Sequence, residues 1–305
     1  MFSLASWKNG TDCCQLFGIT CLTGRRVTAL SLLGRPGNLT TSLSGKISPS
    51  LSKLKFLDSI YLQDLKNLTG PKPFLRPDSE LPRQSRPAIS AQTPRNQLSG
   101  PIPDIFPGLT SLISLSFSHN KLTGKIRNSL AILAPKLRFL ELGHNSLSGA
   151  IPGYLGKFQA LDTQDLSWNN FTGTVPKSFA NLTKIFNLDL SYNRLTDPFP
   201  VMNVKGIESL DSSHNLFNLG SIPKWVISSP IIYSMKLAKC GLKIKLDDFR
   251  PVQTYFYDYI DLSENEITGS PVQLLNRTDY LVGFYASGNK LKFDLGSLRF
   301  SKTLK

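Results

Sequence analysis

The chain has 305 residues, is 40% hydrophobic and 18% charged, and carries a formal net charge of +14. It holds no run of about 18 apolar residues that could cross a bilayer, and its start, MFSLASWKNG, has neither the basic beginning nor the apolar core of a secretory leader. The positive charge favours an anionic partner or surface and is silent about fold.

In chain order, the first feature is TDCCQLFGITC at 11–21, which contains three of the four cysteines, two of them adjacent. Adjacent cysteines seldom bridge each other, because a disulfide wants its Cα atoms at least about 4.4 Å apart with converging Cβ vectors. Within residues 1–100 there are 13 Lys and Arg against 5 Asp and Glu, so more than half of the net charge lies in the first third. Residues 71–95 contain six prolines, with Ala88, Ala91 and Thr93 where the surrounding pattern has leucine. That stretch reads either as an inserted loop or as a compensated reading-frame shift, and it carries no functional expectation.

From Asn96 onward the chain is periodic. LRFLELGHNSLSGAIP, LDTQDLSWNNFTGTVP and IFNLDLSYNRLTDPFP superimpose as LxxLxLxxNxLxGxIP. The asparagine register runs through Asn96, Asn120, Asn145, Asn169, Asn193, Asn215, Asn265 and Asn289, with Cys240 filling the one vacancy. A period of this kind marks a solenoid in which no single unit can bury its apolar face alone. The LxxLxL part predicts a short strand, stacked in parallel on its neighbours about 4.8 Å away, with Leu137, Leu140 and Leu142 in a shared core. Each register asparagine turns inward and pairs backbone groups, since an unpaired buried amide costs roughly 1–3 kcal/mol. Cys240 is expected as a buried thiol of the same ladder. Glycine and proline of GxIP bend the chain off the strand toward the convex side.

The elements LSGPIP, LSGAIP and FTGTVP, together with SWKNGTDCCQLFGITC at the start, resemble the plant class of extracellular leucine-rich-repeat proteins. That class includes polygalacturonase inhibitors and the ectodomains of receptor-like proteins and receptor kinases. The resemblance implies an α/β fold: a right-handed leucine-rich-repeat solenoid of about ten repeats, with a parallel concave β-sheet and a convex side of 3-10 and short helices. It implies a partial N-terminal cysteine cap at 1–26 and repeats over 27–305, degenerate at 71–95. In such caps the second cysteine of the pair bridges the one seven residues on, here Cys14 to Cys21, while the first pairs with a cysteine upstream. No cysteine precedes Cys13, and no cysteine-bearing cap follows Leu304, so the natural chain is expected to extend at both ends. Sequons at Asn9, Asn38, Asn67, Asn170, Asn181 and Asn276 mark candidate N-glycosylation sites and agree with an oxidising, secreted setting.

The x positions of LxxLxL face the concave side, where solenoids bind. One column reads Glu141, Asp165, Asp189, Asp211, Lys236, Asp261, and the column before the asparagines reads His119, His144, Trp168, Tyr192, His214, Lys239, Glu264. Stacked carboxylates favour a cationic partner, and Trp168 and Tyr192 suit rigid contact anchors. Tyr233, Tyr259 and Tyr285 also project concavely and extend the aromatic patch. The partner-binding expectation therefore names Glu141, His144, Asp165, Trp168, Asp189, Tyr192, Asp211, Tyr233 and Tyr259. Only His119 and His144 are near enough to share an ion, so no metal and no cofactor is expected. No phosphate-cradling loop, G-x-S-x-G or H-E-x-x-H occurs, and the open carboxylate ladder offers no pocket to raise a pKa for acid catalysis. The expected protein is not an enzyme and does not bind nucleic acid. It is a secreted cell-wall recognition protein resembling polygalacturonase inhibitors, its basic edges touching acidic wall polysaccharide. The alternative is a peptide-binding receptor ectodomain at the plasma membrane, which requires a downstream transmembrane segment.

Overall fold

The computed structural model describes residues 12–22, 26–33, 44–63, 97–204, 206–249, 257–278, 280–299 and 303. Each LxxLxL segment becomes a short strand, because alternating apolar residues suit a pleat with one face in the core. Phe139–Glu141, Thr163–Asp165, Asn187–Asp189 and Ser209–Asp211 pair in parallel without a slip, as do their neighbours on both sides. Among the described residues this sheet has eleven strands, from Ile19–Leu22, antiparallel to Arg26–Leu33, through ten parallel strands ending at Gly283–Tyr285. Leu115, Leu140, Leu188 and Leu210 form one row beneath it and are all at most 1% exposed.

The asparagine ladder supplies the hydrogen bonds that turn each strand into the following bend. Asn169 Nδ2 donates to the carbonyls of Leu142, Leu166 and Ser167 at 3.0, 3.3 and 2.9 Å, and its Oδ1 accepts from Leu147 N at 2.9 Å. Asn193 repeats the set one turn on. At the vacancy, Cys240 is fully buried and its thiol donates to Ser212 O and Ala238 O. The next asparagine covers two donors there, Asn265 Oδ1 accepting from both Cys240 N and Leu242 N at 3.0 Å.

The GxIP element does more than bend the chain. Leu122, Leu147, Phe171 and Leu195 point inward from a second parallel sheet of six strands, among them Lys121–Gly124, Ser146–Ala150, Asn170–Thr174 and Arg194–Thr196. Only a turn into the convex side was expected here. The second strand forms because L-x-G alternates in and out like any strand, and glycines 100, 124, 149 and 173 then turn it at φ of 77–82°. This sheet ends at Arg194–Thr196. There the consensus glycine is Asp197, and Pro198 brings no N–H to the ladder. The convex side carries 3-10 turns such as Gly153–Lys157 and Lys177–Asn181, and short α-helices at Lys224–Ile227 and Val272–Leu275.

The proline-rich stretch 71–95 lies outside the described residues. In both sheets the strands that flank it are direct neighbours: Ser59–Gln63 pairs with Ser114–Ser116, and Ser44–Gly45 pairs with Gln97–Leu98. Ser59–Gln63 and Gln97–Pro101 therefore belong to one turn. Asn120 registers this seam, since its Nδ2 reaches across to Leu62 O at 2.9 Å while its buried Oδ1 has no partner among the described residues.

At the N-terminal end Cys14 and Cys21 are bridged with Cα atoms 5.5 Å apart, and Cys13 is an exposed free thiol. Among the described residues no helix is long and apolar enough to cross a membrane.

Candidate recognition surface

Strand register places Glu141, Asp165, Asp189, Asp211, Lys236 and Asp261 in one row across the concave sheet. The carboxylates do not stand free in solvent. Asp165 Oδ1 accepts from Ser167 N at 2.9 Å and Ser167 Oγ at 2.6 Å, and Asp189 holds Ser191 in the same way. Asp211 and Asp261 each accept from the amide two residues on. The D-x-S pattern thus closes the bend at the end of these four strands, which gives these acids a structural task. Gly143 makes room for one of them, since a Cβ there would lie 2.5 Å from the Asp165 carboxylate.

Packing the acids against one another changes their chemistry. Burial pushes the Asp165 carboxyl up to about 6, helped by the charges of Glu141 and Asp211 and opposed by the Ser167 hydrogen bonds. Asp189 is pushed up to about 8, by burial first and then by the Asp211 and Asp165 charges on either side. Asp211 is also raised by burial, and Lys236, 3.6 Å away, pulls against this. The sequence reading, in which an open ladder raises no pKa, is corrected here: concave curvature and neighbouring side chains remove water from the row.

Beside the acids runs a continuous stack of rings. His119 and His144 lie 4.2 Å apart, His144 and Trp168 5.2 Å, Trp168 and Tyr192 3.8 Å, and Tyr192 and His214 4.3 Å, all within 21° of parallel. All five residues have φ of 50–59°, the left-handed conformation that turns the chain from strand to asparagine. This shared strain, roughly 1–2 kcal/mol for an L-residue, lifts each side chain to the same height so that faces meet. The ring edges face outward, with Trp168 46% and Tyr192 38% exposed.

Of the remaining residues expected at the site, Tyr233 and Tyr259 fall in neither row. Tyr259 sits in the row of Phe139, Thr163 and Asn187, where its ring and that of Tyr285 close over Gly283. Tyr233 lies one position earlier in its turn, on the row of Ile113, Arg138, Asp162, Phe186 and Glu208. That row forms a third stripe which sequence reading left out. Arg138 donates through Nε to Asp162 Oδ2 at 2.6 Å, and Ile113, Phe186 and Tyr233 are each more than a third exposed. Reading the first x of LxxLxL as a column of its own would have exposed it. Of the sequons, Asn170 and Asn181 are exposed, as are their threonines Thr172 and Thr183. Asn276 is exposed too, but its side chain accepts from Arg299 N at 2.7 Å and its sequon Thr278 is buried. Asn9, Asn38 and Asn67 lie outside the described residues.

Two parallel sheets joined by an asparagine ladder define the class of fold: this is a leucine-rich-repeat solenoid, similar to those of plant extracellular proteins. Leucine rich repeat family models match residues 135–195 and 111–133. The chain is similar to the receptor-like protein kinase BRI1-like 3 of Arabidopsis thaliana, with 30% identity over 152 residues, 49% of this chain and 12% of that protein. It is also similar to a polygalacturonase inhibitor of Vitis vinifera, with 36% identity over 73 residues, 24% of this chain and 20% of that protein. The chain thus matches a fifth or less of the length of these two relatives. Among solved structures, a plant ice-binding protein superimposes with a TM-score of 0.73 and 26% identity, covering 98% of this chain and 84% of the other. The ectodomain of the Arabidopsis receptor kinase HAESA, solved with a peptide hormone, shares the fold with a TM-score of 0.70 and 24% identity over 94% of this chain and 46% of that one.

Proposed function

We propose that this chain is a non-catalytic, secreted recognition module that grips a cationic protein surface with its concave face, in the manner of an inhibitor of a pectin-cutting enzyme. The observation that carries the reading is the pairing of a carboxylate row with an exposed stack of rings on one curved wall. An enzyme that cuts a polyanion needs an electropositive cleft; a cationic surface seated on the Glu141–Asp211 row would draw the raised Asp165 and Asp189 carboxyls into their charged form, while Trp168 and Tyr192 offer low-entropy contact area. The disulfide Cys14–Cys21 and the exposed sequons at Asn170 and Asn181 support an extracellular site of action. Basic residues outside the concave row supply a second contact, to acidic wall polysaccharide.

The test is inhibition of a fungal polygalacturonase by the purified chain, with binding followed by biolayer interferometry. Trp168→Ala and Tyr192→Ala are expected to weaken binding at least about tenfold, the loss of a contact anchor worth some 1.4 kcal/mol or more. Equal affinity of both variants and wild type refutes the assignment of this face. Absence of inhibition and of binding refutes the inhibitor reading.

A second reading has its own support. The alignment with the receptor-like kinase covers twice as much of the chain as that with the inhibitor. On that reading the same face holds an extended peptide as part of a receptor ectodomain. A coding sequence that continues into a membrane-spanning segment is the observation that decides for it.

A further inference from the structure

Where the second sheet stops, the fold leaves a cavity that the concave face does not use. After Arg194–Thr196 the chain runs as DPFPV over 197–201, and prolines 198 and 200 bring no N–H to continue the ladder. One turn on, the corresponding segment leads into the short helix Lys224–Ile227. Between these two segments lies a mostly apolar cavity of about 530 Å³, inside the range of roughly 300–1,000 Å³ typical of small-molecule sites. Its walls include the rings of Phe199 and Trp225, with centroids 6.1 Å apart and planes 21° from parallel. Phe217, buried in the core, meets Phe199 edge-on at 5.4 Å and fixes that ring, so the wall is formed before any ligand arrives. Val201, on the same cavity, is 75% exposed.

The rim is polar and of both signs. Asp197, Asn218 and Lys224 are exposed there, and Asp197 Oδ2 accepts from Asn218 N at 2.6 Å, which ties the two turns together and sets the carboxylate at the edge. With one charge of each sign, neither an anion nor a cation gains net attraction, and a neutral molecule fits. The carboxylate accepts, the ammonium donates and the amide does both, which suits several hydroxyls at once. A pyranose combines the two demands: its axial C–H bonds make one face apolar, and its hydroxyls stand around the edge. We propose that this cavity is a binding site for a neutral carbohydrate, with one pyranose ring against Trp225 and Phe199 and its hydroxyls on Asp197, Asn218 and Lys224. The site is separate from the concave wall, and its rim distinguishes it from any contact with acidic polysaccharide.

The experiment titrates the purified chain with neutral trisaccharides of glucose, galactose, mannose and xylose, and with trigalacturonate, by saturation-transfer NMR and calorimetry. The expected result is saturable binding of at least one neutral trisaccharide with a Kd at or below about 1 mM, and trigalacturonate weaker by about tenfold or more. Trp225→Ala is expected to weaken that binding by about tenfold or more, and the double variant Asn218→Ala/Lys224→Ala by about fivefold. Circular dichroism of each variant is compared with wild type. Both side chains of the double variant are exposed, so it decides alone if Trp225→Ala fails to fold. No neutral trisaccharide bound at about 10 mM overturns the proposal. Full-strength binding by the folded variants overturns it too, as does trigalacturonate binding more tightly than every neutral trisaccharide.

Discussion

Gln164 occupies a leucine position. Its Cα neighbours in the sheet are Leu140 and Leu188, its side chain is 0% exposed, and neither its amide nitrogen nor its oxygen has a partner among the described residues. Leaving a buried polar group unpaired costs about 1–3 kcal/mol, whereas an apolar residue of similar shape carries no such cost. Gln164→Leu restores the row and is close to volume-conserving. With two unpaired groups removed, it is expected to stabilise the fold by about 2–4 kcal/mol, an increase in Tm on the order of 5–10 °C. Urea titration followed by circular dichroism, with a thermal scan beside it, measures the change. The reciprocal variant Leu188→Gln is expected to lose a similar amount. A Gln164→Leu chain that is no more stable than wild type refutes the reasoning, because the amide must then be hydrogen-bonded inside the fold.

Three further outcomes follow from other residues. Asp189 has its folded pKa raised from 3.8 to about 8, so the native state binds the extra proton and stability falls as pH rises from about 4 to about 8; Asp189→Asn, which keeps an acceptor for Ser191, is expected to flatten that fall and add on the order of 2–5 kcal/mol at pH 8, measured by denaturation at pH 5 and 8. Asn193→Leu removes the amide that serves three carbonyls and Phe171 N, and is expected to cost about 3–5 kcal/mol and to broaden the unfolding transition. Expression in a glycosylating host should place sugars on Asn170 and Asn181 and leave Asn276 bare, because the Asn276 side chain is tied to Arg299 N; intact-mass analysis of the Asn→Gln variants reads this directly.

Much of the fold is legible in the letters because each turn repeats one demand. Leucine every second or third residue calls for a strand on a core, and an asparagine three residues past the last leucine calls for a buried bend. What pattern reading misses depends on geometry between turns. The second sheet needs the L-x-G segments of successive turns to fall side by side, and no single LSGAIP announces that. The ring stack arises because His119, His144, Trp168, Tyr192 and His214 share a left-handed backbone, a conformation that non-glycine letters do not signal. The raised carboxyl of Asp189 likewise depends on how little water the curved wall admits beside Asp165 and Asp211. Gln164 sits in an otherwise ordinary repeat, and what sets it apart is its fully buried side chain.

The seam at 64–96 shows what keeps the coil in frame. Ser59–Gln63 hands over to Ser114–Ser116, and Asn120 reaches back to Leu62 as though nothing intervened. Each rung recognises the one below it by backbone donors and acceptors, so the spacing of rungs is independent of the residue count between them. Lengthening such an excursion twofold adds only about 0.6 kcal/mol of closure entropy. A chain built this way tolerates foreign cargo between two rungs, and the stretch after Gln63 is the natural place to graft an epitope or a reporter without disturbing the wall.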